Sequence, residues 1–260
     1  MHTVRMQPIE NSQKKTSIYD SLKRYQLELI EKSDIGNWNS LAATARPSIQ
    51  RVLHLSKLVE LSAGQPGDIF EFGCHYGAST CLIHNLLEIH IPHSRKAIHT
   101  FDTFEGFTSL DENDDSLTEC KNNIGDFNIA IENYESFLDQ IIKLHHALDA
   151  SISNSRSYSL IKGDASKTFP RFLADNPSTL ASLVIFDMDL YKPTIDCLEL
   201  VKSRLLPGSI IAFDEMLAFK QFPGESLAFQ QCTYRDNLIP IKASFASTQV
   251  PFSAIFRYEP

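Results

Sequence analysis

Five stretches of the chain end an apolar run on an acidic residue: Glu71-Phe-Gly73, Asp102, Gly163-Asp164, Asp187-Met-Asp189 and Asp214-Glu215. Carboxylates can accept paired hydrogen bonds, take up a proton from a reacting group and hold a hard cation. Asp and Glu also favour strand-to-loop boundaries for local reasons, which would account for two or three of these positions. Five in succession are harder to assign to that cause.

The first stretch, EFGCHYGAST, has glycines at 73 and 77. Glycine lets a backbone approach a ligand with no Cβ in the way. A dinucleotide fingerprint needs G-x-G-x-x-G to seat a pyrophosphate on a helix N-terminus; here the spacing is G-x-x-x-G, with Glu71 two residues before the first glycine. A carboxylate there repels a pyrophosphate and suits a cationic ligand, such as one carrying an ammonium and a sulfonium. Ser79 can offer its hydroxyl to a ligand carboxylate at the helix start, and His75 and Tyr76 lie inside the loop within reach of a ligand. Taken alone, such glycine pairs are often only turns.

Asp102 follows Gly73 by 29 positions, more than the ~20 of dinucleotide folds, and its two oxygens match a ribose diol. Thr103 adjoins it. Phe104 or Phe107 could cover a purine, although Phe107 reads better as core. Gly163, Asp164 and Ala165 could read an adenine edge, or form an ordinary turn. Asp187, Asp189, Asp214 and Glu215 together read as a hard-cation site of the Mg2+ or Ca2+ kind, unless some cap helices, Asp189 above all. Met188 and Met216 read as packing residues. His145 and His146 read as a solvated helix face. The GESLAF run from Gly224 is either a loop near the site or a helix start with Glu225 in its first turn.

The elements that must position these residues alternate. Helical spacing covers Ser17–Ser33, about Ser48–Ala63, Ser79–Ile89 and Tyr134–Ala150, a start near Pro193, and about Gly224–Arg235. Strands are expected at GDIFEFG, AIHTFD, YSLIKGD, LASLVIFD and LPGSIIAFD, then near Ile239–Ala243 and Phe252–Tyr258. Residues 1–16 are polar and expected to be mobile. Alternation of this kind implies a mostly parallel sheet covered on both faces, and two closing strands on a short connection pair antiparallel. The expectation is a seven-stranded sheet with one reversed strand, with ligands outside the carboxyl ends of its strands. Thr103–Ser157 is too long for a simple connection and reads as a lid or binding insertion; it carries the acidic tract LDENDD.

A formal net charge of −8 argues against a nucleic-acid binder with a basic face. No apolar run is long enough for a membrane span, and the first residues lack the apolar core of a secretion signal. Five scattered cysteines with no Cys-x-x-Cys pair indicate neither a zinc knuckle nor a disulfide framework, and fit reduced thiols in a cytoplasm.

EFGCHYGAST, FDTFEGF, KGDASKTFPRFL, FDMDLYKPT and LPGSIIAFDEM, in this order and spacing, resemble the macrocin O-methyltransferase family from about Arg51 to the C-terminus. The insertion, with GDFN, Tyr134 and His145, is most similar to the branch containing the deoxysugar O-methyltransferase of calicheamicin biosynthesis. The resemblance implies a Rossmann-like class I methyltransferase fold over residues 51–260, with a helical extension at 1–50 and a lid-like insertion at about 103–157. It implies S-adenosylmethionine and a divalent cation as cofactors, and a small-molecule sugar as acceptor. Glu71, Gly73, Gly77, Ser79, Asp102, Thr103, Phe104 and Asp164 would bind the methyl donor, with His75, Tyr76, Gly163, Ala165 and Asp187 beside them. Asp187, Asp214 and Glu215 would hold the metal, with Asp187 and Asp189 catalytic and Asp189 the general base. Many members have Asp-Asp where this chain has Asp214-Glu215, which leaves either a longer arm to the metal or an altered or empty site. Other readings are a methyltransferase of another diol such as a catechol, and a non-catalytic donor-binding protein. Family members are commonly oligomeric, so Ile18, Leu22, Tyr25, Leu29 and Trp38 are candidates for a homodimer contact or a cover over the site.

Overall fold

Seven short strands pair into one sheet: β1 (Asp68–Phe72), β2 (Ile98–Asp102), β3 (Tyr158–Lys162), β4 (Ala181–Phe186), β5 (Leu205–Phe213), β6 (Leu238–Ile241) and β7 (Ala254–Tyr258). The computed structural model describes residues 8–33, 39–92, 94–115, 121–148, 157–218, 220–241 and 253–260. The spatial order is β3-β2-β1-β4-β5-β7-β6. β3 through β5 are parallel, and β7 is antiparallel to both neighbours. This is the Rossmann-like mixed sheet expected from the element order, with one reversed strand. Parallel neighbours need crossovers, supplied by α3 (Ala78–His90), α5 (Ala165–Asp175) and α6 (Tyr191–Val201). The insertion between β2 and β3 contains α4 (Tyr134–Leu148), and α7 (Gly224–Gln231) follows β5. The chain builds outward from β1 to β3 and then returns to place β4 beside β1. That reversal makes the carboxyl ends of β1 and β4 the topological switch point, where sheets of this kind place their ligands.

Strand alternation sends successive side chains to opposite faces. On one face Phe70, Phe72, Phe101, Val184, Phe186 and Phe213 pack with Phe169, Leu198 and Val201 from α5 and α6. On the other, Ile69, Ile98, Leu183, Ile185 and Ile210 meet Leu55, Leu58 and Val59 of α2 (Arg46–Ser62) and Ile83 and Leu87 of α3. The last residue of the first face on four neighbouring strands is, or immediately precedes, the strand-end residue of the site. Phe101, Phe72, Phe186 and Phe213 stack in a row, with 5.1 Å between successive ring centroids. This aromatic row is a dry floor directly beneath Asp102, Gly73, Asp187 and Asp214. Each such ring pair contributes about 0.5–1.5 kcal/mol beyond its buried area.

The chain divides into a unit ending at Val52 and a unit from Leu53 to the C-terminus. In the first, α1 spans Pro8–Lys32, so the helix begins inside the segment expected to be mobile. Glu, Gln and Lys there are good helix formers; polar composition removes an apolar face, not helical propensity. Trp38 and all of residues 242–252, with the expected strand ends at Ala243 and Phe252, lie outside the described residues. The helix α5 carries Pro170 in its interior, which is why spacing did not single it out: proline reads as a helix breaker, yet this helix persists by burying Ala165, Phe169 and Leu173.

Candidate active site

At the end of β1 the chain turns through Gly73 at φ +85°. A Cβ there would collide with the Asp187 carbonyl, so the close approach of the β1 and β4 ends requires glycine. Gly77, at φ +71°, caps α3 and packs against Leu138 of the insertion helix. His75 between them also has a left-handed backbone, at φ +49°.

Asp102 ends β2 and holds this loop together. Its Oδ2 accepts from the backbone N–H of Cys74 (2.7 Å) and of His75 (2.8 Å), and its Oδ1 accepts from Phe104 N–H at 2.6 Å. Three of about four acceptor positions of the carboxylate are taken by the chain itself. Thr103 turns its hydroxyl to the Gly106 carbonyl. Phe104 and Phe107 are both buried, so neither is an open plate for a purine. Phe104 instead joins Cys74, Ile129, Tyr134, Leu138 and Ile142 in a small core that roofs the glycine loop with the insertion.

Glu71 alternates to the α3 face and is completely buried. Its Oε2 accepts from Thr80 (2.5 Å) and from Thr100 on the neighbouring strand (3.0 Å). Among the described residues its Oε1 makes no hydrogen bond of ordinary geometry, and the Ser79 hydroxyl lies near enough to favour the charged form. Burial pushes this carboxyl above its ordinary value, against the opposing effect of the Ser79, Thr80 and Thr100 hydroxyls. Ser79 is buried as well. Gly163 donates to the Asp102 carbonyl, and Asp164 caps α5 by accepting from Ser166 N–H at 2.9 Å. Lys167 pairs with its other oxygen at 3.0 Å, and Ala165 is buried. For this segment the turn reading accounts for the contacts the structure makes.

The opposite half of the edge is built differently. Asp189 sits at φ +63° as the centre of a three-residue turn closed by Leu190 N–H to the Met188 carbonyl at 2.7 Å. Such a turn is rare and strained, and a backbone held there costs about 1–3 kcal/mol. Asp189 is not the cap of α6; that position is Leu190. Asp214 is buried at the end of β5, in register beside Asp187 through Phe186 and Phe213. Behind both lies Glu225 in the first turn of α7, completely buried. Its two oxygens accept from Met188 N–H (3.3 Å) and Glu215 N–H (3.0 Å). Burial first, then the charges of Asp189 and Asp187, push its carboxyl well above the usual carboxylate range.

The cation expected from the sequence is not supported by this donor set. Among the described residues, no group of three His, Cys, Asp or Glu side chains is arranged to hold a metal ion. Asp214 and Glu215 follow β5 directly in a bend, and Asp214 is buried beside Asp187. The insertion also departs from expectation. His146 meets His84 of α3 at 2.9 Å, and His145 meets Asn85 at 3.3 Å, so these histidines dock α4 instead of facing solvent. The acidic tract is likewise anchored: buried Asp114 accepts from Tyr191 N–H at 2.5 Å and supplies the missing cap of α6. Spacing within the insertion gave no sign of Asp114, and Glu225 was visible only as one of two readings of GESLAF.

A methyltransferase domain family matches residues 70–216. A Streptomyces olivaceus 8-demethyl-8-(2,3-dimethoxy-alpha-L-rhamnosyl)-tetracenomycin-C 4'-O-methyltransferase is 25% identical over 192 residues, 69% of this chain and 64% of that protein's length. The crystal structure of the calicheamicin methyltransferase CalS11 has 28% sequence identity and a TM-score of 0.78, covering 98% of this chain and 94% of that one. The apo structure of the same TDP-rhamnose 3'-O-methyltransferase matches with 27% identity and a TM-score of 0.73, over 98% and 96% of the two chains. The calicheamicin branch indicated by the sequence is thus represented among the matched structures.

Proposed function

We propose, for a chain that belongs to the methyltransferase domain family matched over residues 70–216, an S-adenosylmethionine-dependent O-methyltransferase acting on a sugar hydroxyl. The acceptor is a 6-deoxyhexose, as a nucleotide sugar or a glycoside, since the names of both relatives specify rhamnose. The observation that carries the reading is Asp189, held in a strained left-handed turn at the switch point across from the glycine loop. Strain is retained where surrounding structure enforces it, typically at sites of chemistry.

S-adenosylmethionine, when bound, supplies an electrophilic methyl on a sulfonium. Gly73, His75, Tyr76 and Gly77 form its loop, Asp102 retains acceptor capacity for a ribose hydroxyl, and Glu71 beneath the loop ties it to α3 and β2 through Thr80 and Thr100. Ser79, Thr103, Phe104, Gly163, Asp164, Ala165 and Asp187 shape the remaining wall. Asp189 takes the proton of the acceptor hydroxyl as its oxygen attacks, a contribution of ~10²–10⁴-fold. Alignment over the dry phenylalanine row supplies much of the rest. The insertion covers the donor and excludes water. Tyr76 and Phe127 remain 44% and 49% exposed, and Phe127 groups with His75, Phe107 and Phe222 from other loops. Such aromatic faces suit the apolar side of a deoxysugar ring. On α1, exposed Ile18, Tyr25, Leu27 and Ile30 support a homodimer contact, testable by light scattering.

The test is incubation with S-adenosylmethionine and TDP-rhamnose, with and without added Mg2+, followed by mass spectrometry for one added methyl. A methylated sugar confirms the reading. Donor binding without transfer to any sugar would replace it with a non-catalytic binder, and transfer to a catechol alone would replace the acceptor class.

A further inference from the structure

Three consecutive residues at the start of α7 grip both acidic loops. Gly224 fits so tightly against Asp189, Leu190 and Tyr191 that a Cβ would collide with their backbone. Ser226 donates its hydroxyl to the Met216 carbonyl at 2.6 Å. Between them Glu225 reaches across, one oxygen to Met188 N–H and the other to Glu215 N–H. The amide it holds in the first loop is the one immediately before Asp189. Three neighbouring amides are held too: Asp187 N–H by the Phe72 carbonyl, Leu190 N–H by the Met188 carbonyl and Tyr191 N–H by Asp114. Of these four ties, that of Met188 is made by a side chain that also binds the second loop.

A completely buried carboxylate facing other carboxylates is costly, and burial without a role would favour an apolar side chain. The geometry does give it a role. In its ionised form the side chain presents two acceptors and no donor, which is what two converging N–H groups require, and the bond from Glu215 N–H works against the burial that favours its protonation. Glutamine presents one acceptor and one donor and cannot serve both amides. Alanine leaves two buried amides with no partner.

We propose that Glu225 is a positioning residue for methyl transfer, bridging the ends of β4 and β5 and fixing the strained turn that aims Asp189. This inference rests on the methyltransferase reading, but its structural half does not need activity to be tested. Glu225 touches neither donor nor acceptor in this role; it acts through Asp189.

The experiment compares wild type, Glu225→Gln, Asp189→Asn and the double variant. Hydrogen exchange at the Met188 and Glu215 amides is measured alongside kcat, acceptor KM and donor Kd. The expected result for Glu225→Gln is kcat lower by roughly 10- to 100-fold, as for a small misplacement of a reacting group, with KM and donor Kd within about 3-fold. The double variant is expected to be no slower than Asp189→Asn, because the two act through one group. Exchange at the two amides should rise at least ~10-fold while the rest of the sheet is unchanged. An unchanged kcat in folded Glu225→Gln overturns the proposal. So does a parallel fall of kcat, donor affinity and melting temperature, which would mark a structural residue only. Should wild type bind donor yet methylate no sugar, the functional reading fails by itself. The exchange data then decide the brace: faster exchange confined to the two loops supports it, and unchanged exchange overturns it. If Glu225→Gln does not fold, Ser226→Ala, which loosens the same helix start, takes its place under the same criteria.

Discussion

The two halves of the sheet's functional edge use the same residue type in opposite ways. At the β1–β3 end, Asp102 is surrounded by backbone N–H donors and is nearly saturated; its charge is spent on shaping a loop. At the β4–β5 end, burial first, and then the charges of Asp189, Asp187 and Asp214, push the carboxyl of Glu225 upward. One half is pre-satisfied and fits a group that must be held. The other sets the strained backbone of Asp189 beside a buried glutamate, where the proposed reading places the group that takes a proton. A carboxylate at a strand end is therefore not one signal but two, and only its donors and neighbours tell them apart.

The strongest way to break this contrast is Asp189→Asn. Turnover should fall by ~10²–10⁴-fold, while donor affinity measured by calorimetry stays within about 2-fold. Near-normal turnover would remove Asp189 as the base and leave the acidic half without a catalytic role. Asp102→Ala should do the reverse. Three amides lose a charged acceptor at a cost of about 3 kcal/mol, so the melting temperature should drop by roughly 6–12 °C and donor affinity should fall with it. A variant that melts like wild type would show that the loop is shaped by something else.

Asp114→Ala sharpens the comparison from the insertion. It removes the acceptor at the start of α6, worth about 1 kcal/mol and about 2–4 °C. Turnover should fall only a few-fold, because Glu225 and Gly224 still hold the turn before Tyr191. The smallest effect is expected from Glu71→Gln, read as a pH series of melting temperatures. Burial raises the Glu71 carboxyl above its ordinary 4.5, so the folded state binds the proton more tightly than the unfolded state. Wild-type stability should be greatest below that value and decline as pH rises toward the folded-state value, then level off. Glu71→Gln should flatten that decline, and an unchanged slope would place the titration elsewhere.

Much of this architecture can be read from the chain. Each predicted strand has its counterpart, displaced by a residue or so, because apolar runs bounded by glycine and acidic residues leave few alternatives. The helix α5 could not be read, since Pro170 is a local argument against a helix that Phe169 and Leu173 settle by burial. His145 and His146 look solvated when only their own helix is considered. The surface they meet is α3, some sixty residues earlier in the chain.

The alternation of elements, the sheet with one reversed strand and the acidic residues at its carboxyl edge follow from the amino-acid order, because periodicity and strand-end chemistry are local properties. What surrounds each acid came from the folded arrangement. It showed Asp102 caged by amides, Glu71 turned to the helix-covered face, and, among the described residues, no three of the expected donors grouped to hold a metal. It also brought Glu225, from another part of the chain, between the two acidic loops. The physical reason is that a carboxylate's role depends on which donors and charges lie within a few ångströms, and those neighbours come from segments distant in sequence.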